Sequence, residues 1–400
     1  MKGTFRTSRR QALAGIAATP LAACTSGLDT AIATASDIAA EAVRDRPSLD
    51  ALARRGNRRF GSAIASTPGR TDAGSIENPA YAALIASECG LVVPENEMKW
   101  QTTRPSPDRY DFTRLDAIVK WARTRNLEVR GHTLLWHRPQ WFPEWLNNYD
   151  FGARPVAEAE RLVTEHIRTV TQRYQGVITS YDVVNEAIDH DRNAPIETSL
   201  SRAMGSPEAV LDVAFNTARE ALPNAQLVYN DYMSWEPAHR KHCDDVLRLL
   251  EGFRKRGTPV DALGIQSHIE MFSIDPATGL GPYAEREWRR FLDEAVGMGY
   301  RLLITEFDVK DKALPADHAV RDAKVAEFAR RYFDLMLEYD AHLDDILAWG
   351  MADNFNWLQY FGPAKRDDGL PVRGTPYTAD LTPKPLRTAI AGSLERAATR

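Results

Sequence analysis

From residue 58 onward, short apolar runs alternate with longer segments in which apolar residues recur at helical spacing. Eight runs stand out: RRFGSAIAS (58–66), LVVPENE (91–97), LEVRGHTLLW (127–136), ITSYDVVNEA (178–187), AQLVYNDYM (225–233), DALGIQSHI (261–269), RLLITEFDV (301–309) and DILAWGMAD (345–353). They are nearly continuous in Val, Ile, Leu and Tyr, the pattern of parallel strands covered on both faces. Between them, Val163, Ile167, Val170 and Tyr174 keep a helical period, as do Val325, Phe328, Tyr332 and Met336. Ser206-Pro207 reads as an N-cap with proline in the first turn, and KPLRTAIAGSLERAA (384–398) as the last helix. Eight strand–helix units predict an α/β fold, a single (β/α)8 TIM barrel. An open doubly wound sheet is the structural alternative, but no GxGxxG follows any run.

Composition narrows the class without deciding it. The chain has 400 residues, 44% of them hydrophobic, enough for a large core. A net charge of −5 and the lack of a basic stripe argue against a nucleic-acid partner. No apolar run approaches the roughly 18 residues of a membrane span. Nine Trp and thirteen Tyr suit stacking on flat sugar faces, although barrel cores use aromatics as well.

The first residues carry a different pattern. Ser8-Arg9-Arg10-Gln11 precedes a mildly apolar stretch, ALAGIAATPLAA (12–23), as in twin-arginine export signals. Leu21-Ala22-Ala23-Cys24 has the form of a bacterial lipoprotein cleavage site, at which Cys24 becomes the lipidated N-terminus. The expected organisation is an export signal over 1–23, a tether over 24–46 and a folded domain over 47–400. Cleavage would remove four basic residues and no acids, taking the net charge from −5 to −9. The chain is expected to be exported: periplasmic, held on a membrane through the lipid alone, or secreted. Cys89 and Cys243 fall in helix-like segments of different units, which predicts two buried free thiols.

In (β/α)8 barrels the chemistry is done at the C-terminal ends of the strands. Nearly every run here ends in polar groups. Glu95, Asn96 and Lys99 close the second; His132, Trp136 and His137 the third; Asn185 and Glu186 the fourth; Asn230, Asp231 and Tyr232 the fifth. Gln266 and His268 close the sixth, Glu306 and Asp308 the seventh, and Trp349 the eighth, with Trp357 just beyond. Any one of these passes as a loop or cap residue; a whole rim of them is what a site needs. Glu186 and Glu306 are 120 residues apart, so one barrel face is what brings them together. Facing carboxyls serve glycoside hydrolysis. One donates a proton to the leaving oxygen and the other attacks the sugar carbon, about 5–5.5 Å apart when configuration is retained. Gln266 and His268 are two apart and so share a strand face, as do Glu306 and Asp308. A histidine held by Asp308 would donate to Glu306 and stabilise its negative charge, which makes Glu306 the nucleophile and Glu186 the acid/base. Asn185, beside Glu186, would bond a sugar hydroxyl. No metal or organic cofactor is expected.

The pieces PENEMKW, GHTLLWH, DVVNEA, YNDY, GIQSHI, ITEFDV, WGMADNFNW and LTPKP, in this order, resemble the glycoside hydrolase family 10 xylanases from about Leu49 to the C-terminus. The resemblance implies a (β/α)8 catalytic domain over 47–400 that cleaves β-1,4-xylan or xylo-oligosaccharides internally with retention. It implies Glu186 as acid/base and Glu306 as nucleophile, with His268 and Asp308 positioning Glu306. It places Asn185, His132, Gln266 and Trp349 at the sugar next to the cleaved bond. Glu95, Asn96 and Lys99 would bind the next sugar toward the non-reducing end. Trp357 would cover the cleft and disfavour a hydroxymethyl, Tyr232 would touch the leaving side, and Trp136 joins the substrate-binding set. A monomer is expected.

There are departures from the family pattern. Tyr181 stands where Trp is usual and Phe307 where Leu is usual, swaps that change packing more than chemistry. After His137 the family has a small polar residue and Gln before Pro-x-Trp; RPQWFPEW is longer, with Gln140 the candidate for that Gln. The segment from Leu358 to Asp380, with Lys365, Arg366, Asp367 and Asp368, is expected to border the cleft and to influence which decorated chains fit. Competing readings are a retaining β-1,4-glucanase or mixed-specificity enzyme, set by how Trp357 and Lys99 crowd the sugar, and a non-catalytic xylan-binding lipoprotein. A metal-dependent hydrolase using His132, His137, His268 and Asp308 is disfavoured, because the first run lacks His-x-His.

Overall fold

The computed structural model describes residues 46–189, 191–192 and 194–399, and its folded unit begins at Pro47. The expected export signal, Cys24 and the tether up to residue 45 lie outside the described residues. Eight parallel strands form a ring: β1 (Phe60–Ile64), β2 (Leu91–Pro94), β3 (Glu128–Trp136), β4 (Ile178–Asn185), β5 (Gln226–Asp231), β6 (Ala262–Ile265), β7 (Arg301–Lys310) and β8 (Leu343–Ala348). Each pairs with its neighbours in sequence, and β8 pairs with β1, so the barrel closes without an edge. One long helix follows each strand: α1 (Pro79–Glu88), α2 (Thr113–Arg123), α3 (Pro155–Arg173), α4 (Pro207–Ala221), α5 (Arg240–Arg256), α6 (Glu285–Gly297), α7 (His318–Met336) and α8 (Pro385–Ala397).

The periodic positions are the ones that pack. Val163, Ile167 and Val170 on α3, and Val325, Phe328, Tyr332 and Met336 on α7, are fully buried. Ser206 Oγ accepts from the Ala209 amide at 3.1 Å, capping α4 ahead of Pro207. Cys89 and Cys243 are buried and unbridged. Phe307 packs on Phe333 with ring centroids 4.7 Å apart, and Tyr181 is buried beside Gly131.

Most of the strands end earlier than the apolar runs do, and this shapes the rim. β4 stops at Asn185 because Glu186 turns left-handed, with φ 50°. β6 stops at Ile265; Ser267 takes φ 62°, and the chain resumes as a short strand, His268–Glu270, along β7. Gln266 and His268 therefore do not share one strand face, and simple alternation does not place them. Register places other residues of the rim. Trp136 is opposite Asn185, Asn185 opposite Asn230, and Asn230 opposite Gly264. A Cβ on Gly264 would lie 2.3 Å from Asn230 Oδ1, so glycine is what leaves room for that side chain.

The 358–380 segment is more firmly tied down than its composition suggests. Arg366 is buried and donates to the carbonyls of Asp311, Lys312 and Leu314 at 2.8, 3.2 and 2.8 Å. Arg373 pairs with Asp322 at 2.6 Å. Arg366 is thus a strut under the loop, not a group that reads substrate; Lys365, Asp367 and Asp368 are exposed.

Candidate active site

Glu306, near the C-terminal end of β7, is held by side chains from three other strands. Asn230 Nδ2 donates to its Oε1 at 2.7 Å. His268 Nε2 lies 3.4 Å from Oε2, and His132 Nδ1 lies 4.0 Å from Oε1. His268 is in turn held by Asp308, Nδ1 to Oδ1, at 2.8 Å. Burial alone would lower this imidazole, but the charges of Asp308 and Glu306 outweigh burial and raise it to about 9. At neutral pH an imidazolium therefore faces Glu306. The second oxygen of Asp308 accepts from Trp357 Nε1 at 2.7 Å and from Asn356 Nδ2 at 3.2 Å. One carboxylate thus orients both the histidine and the tryptophan.

Glu186 sits on the turn after β4. Its Oε1 accepts from Gln266 Nε2 at 2.9 Å and its Oε2 from Trp136 Nε1 at 3.1 Å. Burial pushes its carboxyl above the usual carboxylate range; the charges of Asp231 and Glu306 add to this and Arg138 opposes it. Amides link the two glutamates. Asn230 Nδ2, besides reaching Glu306, donates to Asn185 Oδ1 at 2.8 Å, and Gln266 Nε2 lies 3.4 Å from the same oxygen. Thr305 Oγ1 donates to Asn230 Oδ1 at 2.6 Å, which fixes the orientation of that amide.

The other expected residues gather around this pair. His132 is held by Asp182 at 2.9 Å, itself paired with Arg130, and meets the Trp349 ring edge-on at 5.1 Å. Lys99 Nζ donates to Asn96 at 2.8 Å and lies 4.7 Å from the centre of the Trp136 ring. Burial lowers Lys99 and raises Glu95 beside it, and each partly offsets the other. Tyr232 lies under the guanidinium of Arg138 at 5.5 Å. His137 turns away: its Nε2 meets the Ile196 carbonyl at 3.0 Å, and burial lowers it to about 4. Among the described residues no group of three His, Cys, Asp or Glu is placed to hold a metal ion.

Two contributors carried no role in the sequence reading. Asn230 was visible only as a polar strand end in YNDY, and its bridging position depends on Gly264 across the register. Arg138 lies in the segment that departs from the family, where Gln140 was the candidate; Gln140 is exposed, while Arg138 Nε is 3.2 Å from Glu186 Oε2.

A barrel rim with two carboxyls in contrasting surroundings, bridged by amides and flanked by tryptophans, suits acid-assisted displacement at a sugar carbon. The family model for "Glycosyl hydrolase family 10" matches residues 48–393. Endo-1,4-beta-xylanase B of Paenibacillus barcinonensis is 33% identical over 301 residues, covering 72% of this chain and 82% of that protein. Endo-1,4-beta-xylanase C of the same organism is 31% identical, but the chain spans only 27% of its length. Among solved structures, native xylanase 10B from Thermotoga maritima superposes with a TM-score of 0.74 at 28% identity, covering 88% of this chain and 99% of the other. Xylanase 10B from Thermotoga petrophila RKU-1, solved with xylobiose, gives 0.74 at 29% identity, covering 88% and 98%. With the barrel, the paired glutamates and a match over nearly the whole folded unit, the chain belongs to glycosyl hydrolase family 10.

Proposed function

We propose that this protein is an endo-1,4-β-xylanase that hydrolyses internal β-1,4 bonds of xylan or xylo-oligosaccharides with retention, by double displacement. Glu306 attacks the anomeric carbon while Glu186 gives its proton to the departing oxygen. Glu186 then takes a proton from water, and that water displaces Glu306 from the sugar. The observation that carries this reading is the contrast between the two carboxyls. Burial and two nearby negative charges hold Glu186 toward its protonated form. Glu306 accepts from an amide and faces an imidazolium, which suits an anion. His268 and Asp308 position Glu306. Asn185, His132, Gln266 and Trp349 contact the sugar at the cleaved bond, and Glu95, Asn96 and Lys99 the next one. Trp136 lines the same cleft, Trp357 covers it, and Tyr232 meets the leaving side. Residues 1–23 act as an export signal and Cys24 as a lipidated terminus on a tether, so that a monomer works outside the cytoplasm.

The test is incubation with xylan and with cellulose, following product anomers by proton NMR. Early β-anomers from xylan alone are expected. Early α-anomers overturn retention, cleavage of β-glucan instead favours the glucanase, and binding without products favours the non-catalytic lipoprotein. Azide should restore turnover of Glu186→Ala on an aryl glycoside with a good leaving group; rescue of Glu306→Ala alone reverses the two roles.

A further inference from the structure

We propose that Arg138 is a positioning residue for the acid/base, a guanidinium strut that fixes the turn carrying Glu186 and keeps a positive charge beside its carboxyl through both displacement steps. The inference rests on Glu186 having the acid/base role given above.

The geometry is specific to this side chain. Arg138 Nε donates to the Glu186 carbonyl at 3.1 Å, and Nη2 donates to the Ile188 carbonyl at 3.1 Å and to Tyr232 Oη at 3.4 Å. The same Nε lies 3.2 Å from Glu186 Oε2. The guanidinium therefore brackets the turn on both sides and meets the carboxyl from within it. That turn needs holding, because Glu186 is left-handed, with φ 50°, a conformation strained for any residue with a Cβ. Other restraints on it include the Glu186 amide on the Asn230 carbonyl at 2.9 Å, the Ala187 amide on Tyr229 Oη at 3.2 Å and the Ile196 amide on the Ala187 carbonyl at 2.8 Å. With its side chain 16% exposed and its guanidinium over the Tyr232 ring, Arg138 sits where a planar, multidentate cation is used well and a lysine poorly.

The charged and ionisable groups around Glu186 come from several strand ends, while the end of β6 supplies the Gln266 amide. Asp231, paired with His242 at 2.9 Å, and Tyr232 face it from β5, Glu306 from β7, Lys99 from beyond β2 and Arg138 from beyond β3. Before the first step, Glu306 and Asp231 oppose ionisation of Glu186 and Arg138 favours it. Once Glu306 is esterified to the sugar its charge is gone, while that of Arg138 remains. The balance then tips toward ionised Glu186, the form that must accept a proton from water. With Arg138 in place, Glu186 gives up some readiness to act as acid at high pH, and more of it is ionised, ready to accept a proton, in the second step.

The experiment is the pH dependence of kcat/KM on an aryl β-xylobioside with a poor leaving group, for wild type, Arg138→Gln and Arg138→Lys. Removing the charge should move the alkaline limb up by about one to two pH units. With a good leaving group, where the second step limits, the acidic limb of kcat should move up as well, so that kcat measured on that limb falls by about tenfold or more. Arg138→Lys should stay within about half a unit of the wild-type limb, with reduced kcat from the lost fork. Arg138→Met, which keeps an unbranched stem without the charge, is the second charge-free variant should Arg138→Gln not fold. If neither folds, an alkaline limb in Arg138→Lys displaced by about a unit overturns the proposal. So does a uniform fall in kcat/KM with the limb unmoved in a charge-free variant, which is the signature of packing alone. Glu186→Ala separates the two ideas: if it keeps the wild-type alkaline limb, the acid/base reading fails whatever Arg138 does.

Discussion

The two ends of the barrel both carry carboxylates and partner them differently. At the N-terminal end, Arg59 pairs with Glu128 and, at 2.7 Å, with Asp345; Arg58 pairs with Asp340, and Arg301 with Asp344. Several of these residues line a depression of about 560 Å³ together with Ser180 and Gln226. At the C-terminal end, Glu186, Glu306 and Asp308 are met chiefly by amides, indole N–H groups and imidazoles. An amide satisfies a carboxylate oxygen without cancelling its charge, whereas a guanidinium does both. A depression and a concentration of charge, both present at the floor, therefore do not by themselves mark a site; the kind of partner does. Arg138 brings the partnering of the floor to the rim, which is why it stands out there.

Three substitutions would break or sharpen this contrast. The largest effect is expected from Glu306→Ala, which should lower kcat on xylan by about 10⁴-fold or more while the far-UV circular dichroism stays native. Activity within tenfold of wild type would mean that the rim carboxylate is not the nucleophile.

A middle effect concerns pH. His268 is raised to about 9 when folded, against about 6.5 unfolded. Its contribution to stability is then fully present below about pH 6.5 and lost as pH rises through about 9. That contribution is on the order of 3 kcal/mol. Denaturant titrations from pH 6 to 10 should show this decline in wild type, and His268→Gln should flatten it. A decline that persists in the variant would place its origin elsewhere.

The smallest effect is expected at the floor. Asp344→Asn loosens the pair with Arg301, whose side chains are 25% and 42% exposed, and should cost about 0–1 kcal/mol with kcat within about twofold. A large loss of activity would show that the floor is not merely structural.

Much of this was legible in the sequence because burial and period are local. Val325, Phe328, Tyr332 and Met336 announce a helix whatever surrounds them, and all four are buried as the spacing requires. The rim was legible for a related reason: a polar residue closing an apolar run has few uses except at a loop or a site. The break at Ser267 was not legible, since nothing in DALGIQSHI distinguishes one strand from two. Gln266 and His268 still reach Glu186 and Glu306, but through a left-handed turn and not by alternation. The bracing role of Arg366 was not legible either, because the carbonyls that a charged loop residue meets are known only once the loop has folded.

The sequence by itself determined the eight strand–helix units, the polar ends of the strands and the two glutamates that had to meet, since each follows from short-range pattern. Tertiary structure alone decided which donor met which acceptor. Asn230 bridges Asn185 and Glu306 because register sets it opposite a glycine, and Arg138 reaches Glu186 because the turn after β4 is left-handed. Hydrogen bonds and ion pairs depend on ångström separations between strands far apart in the chain, and those separations exist only once the barrel has closed.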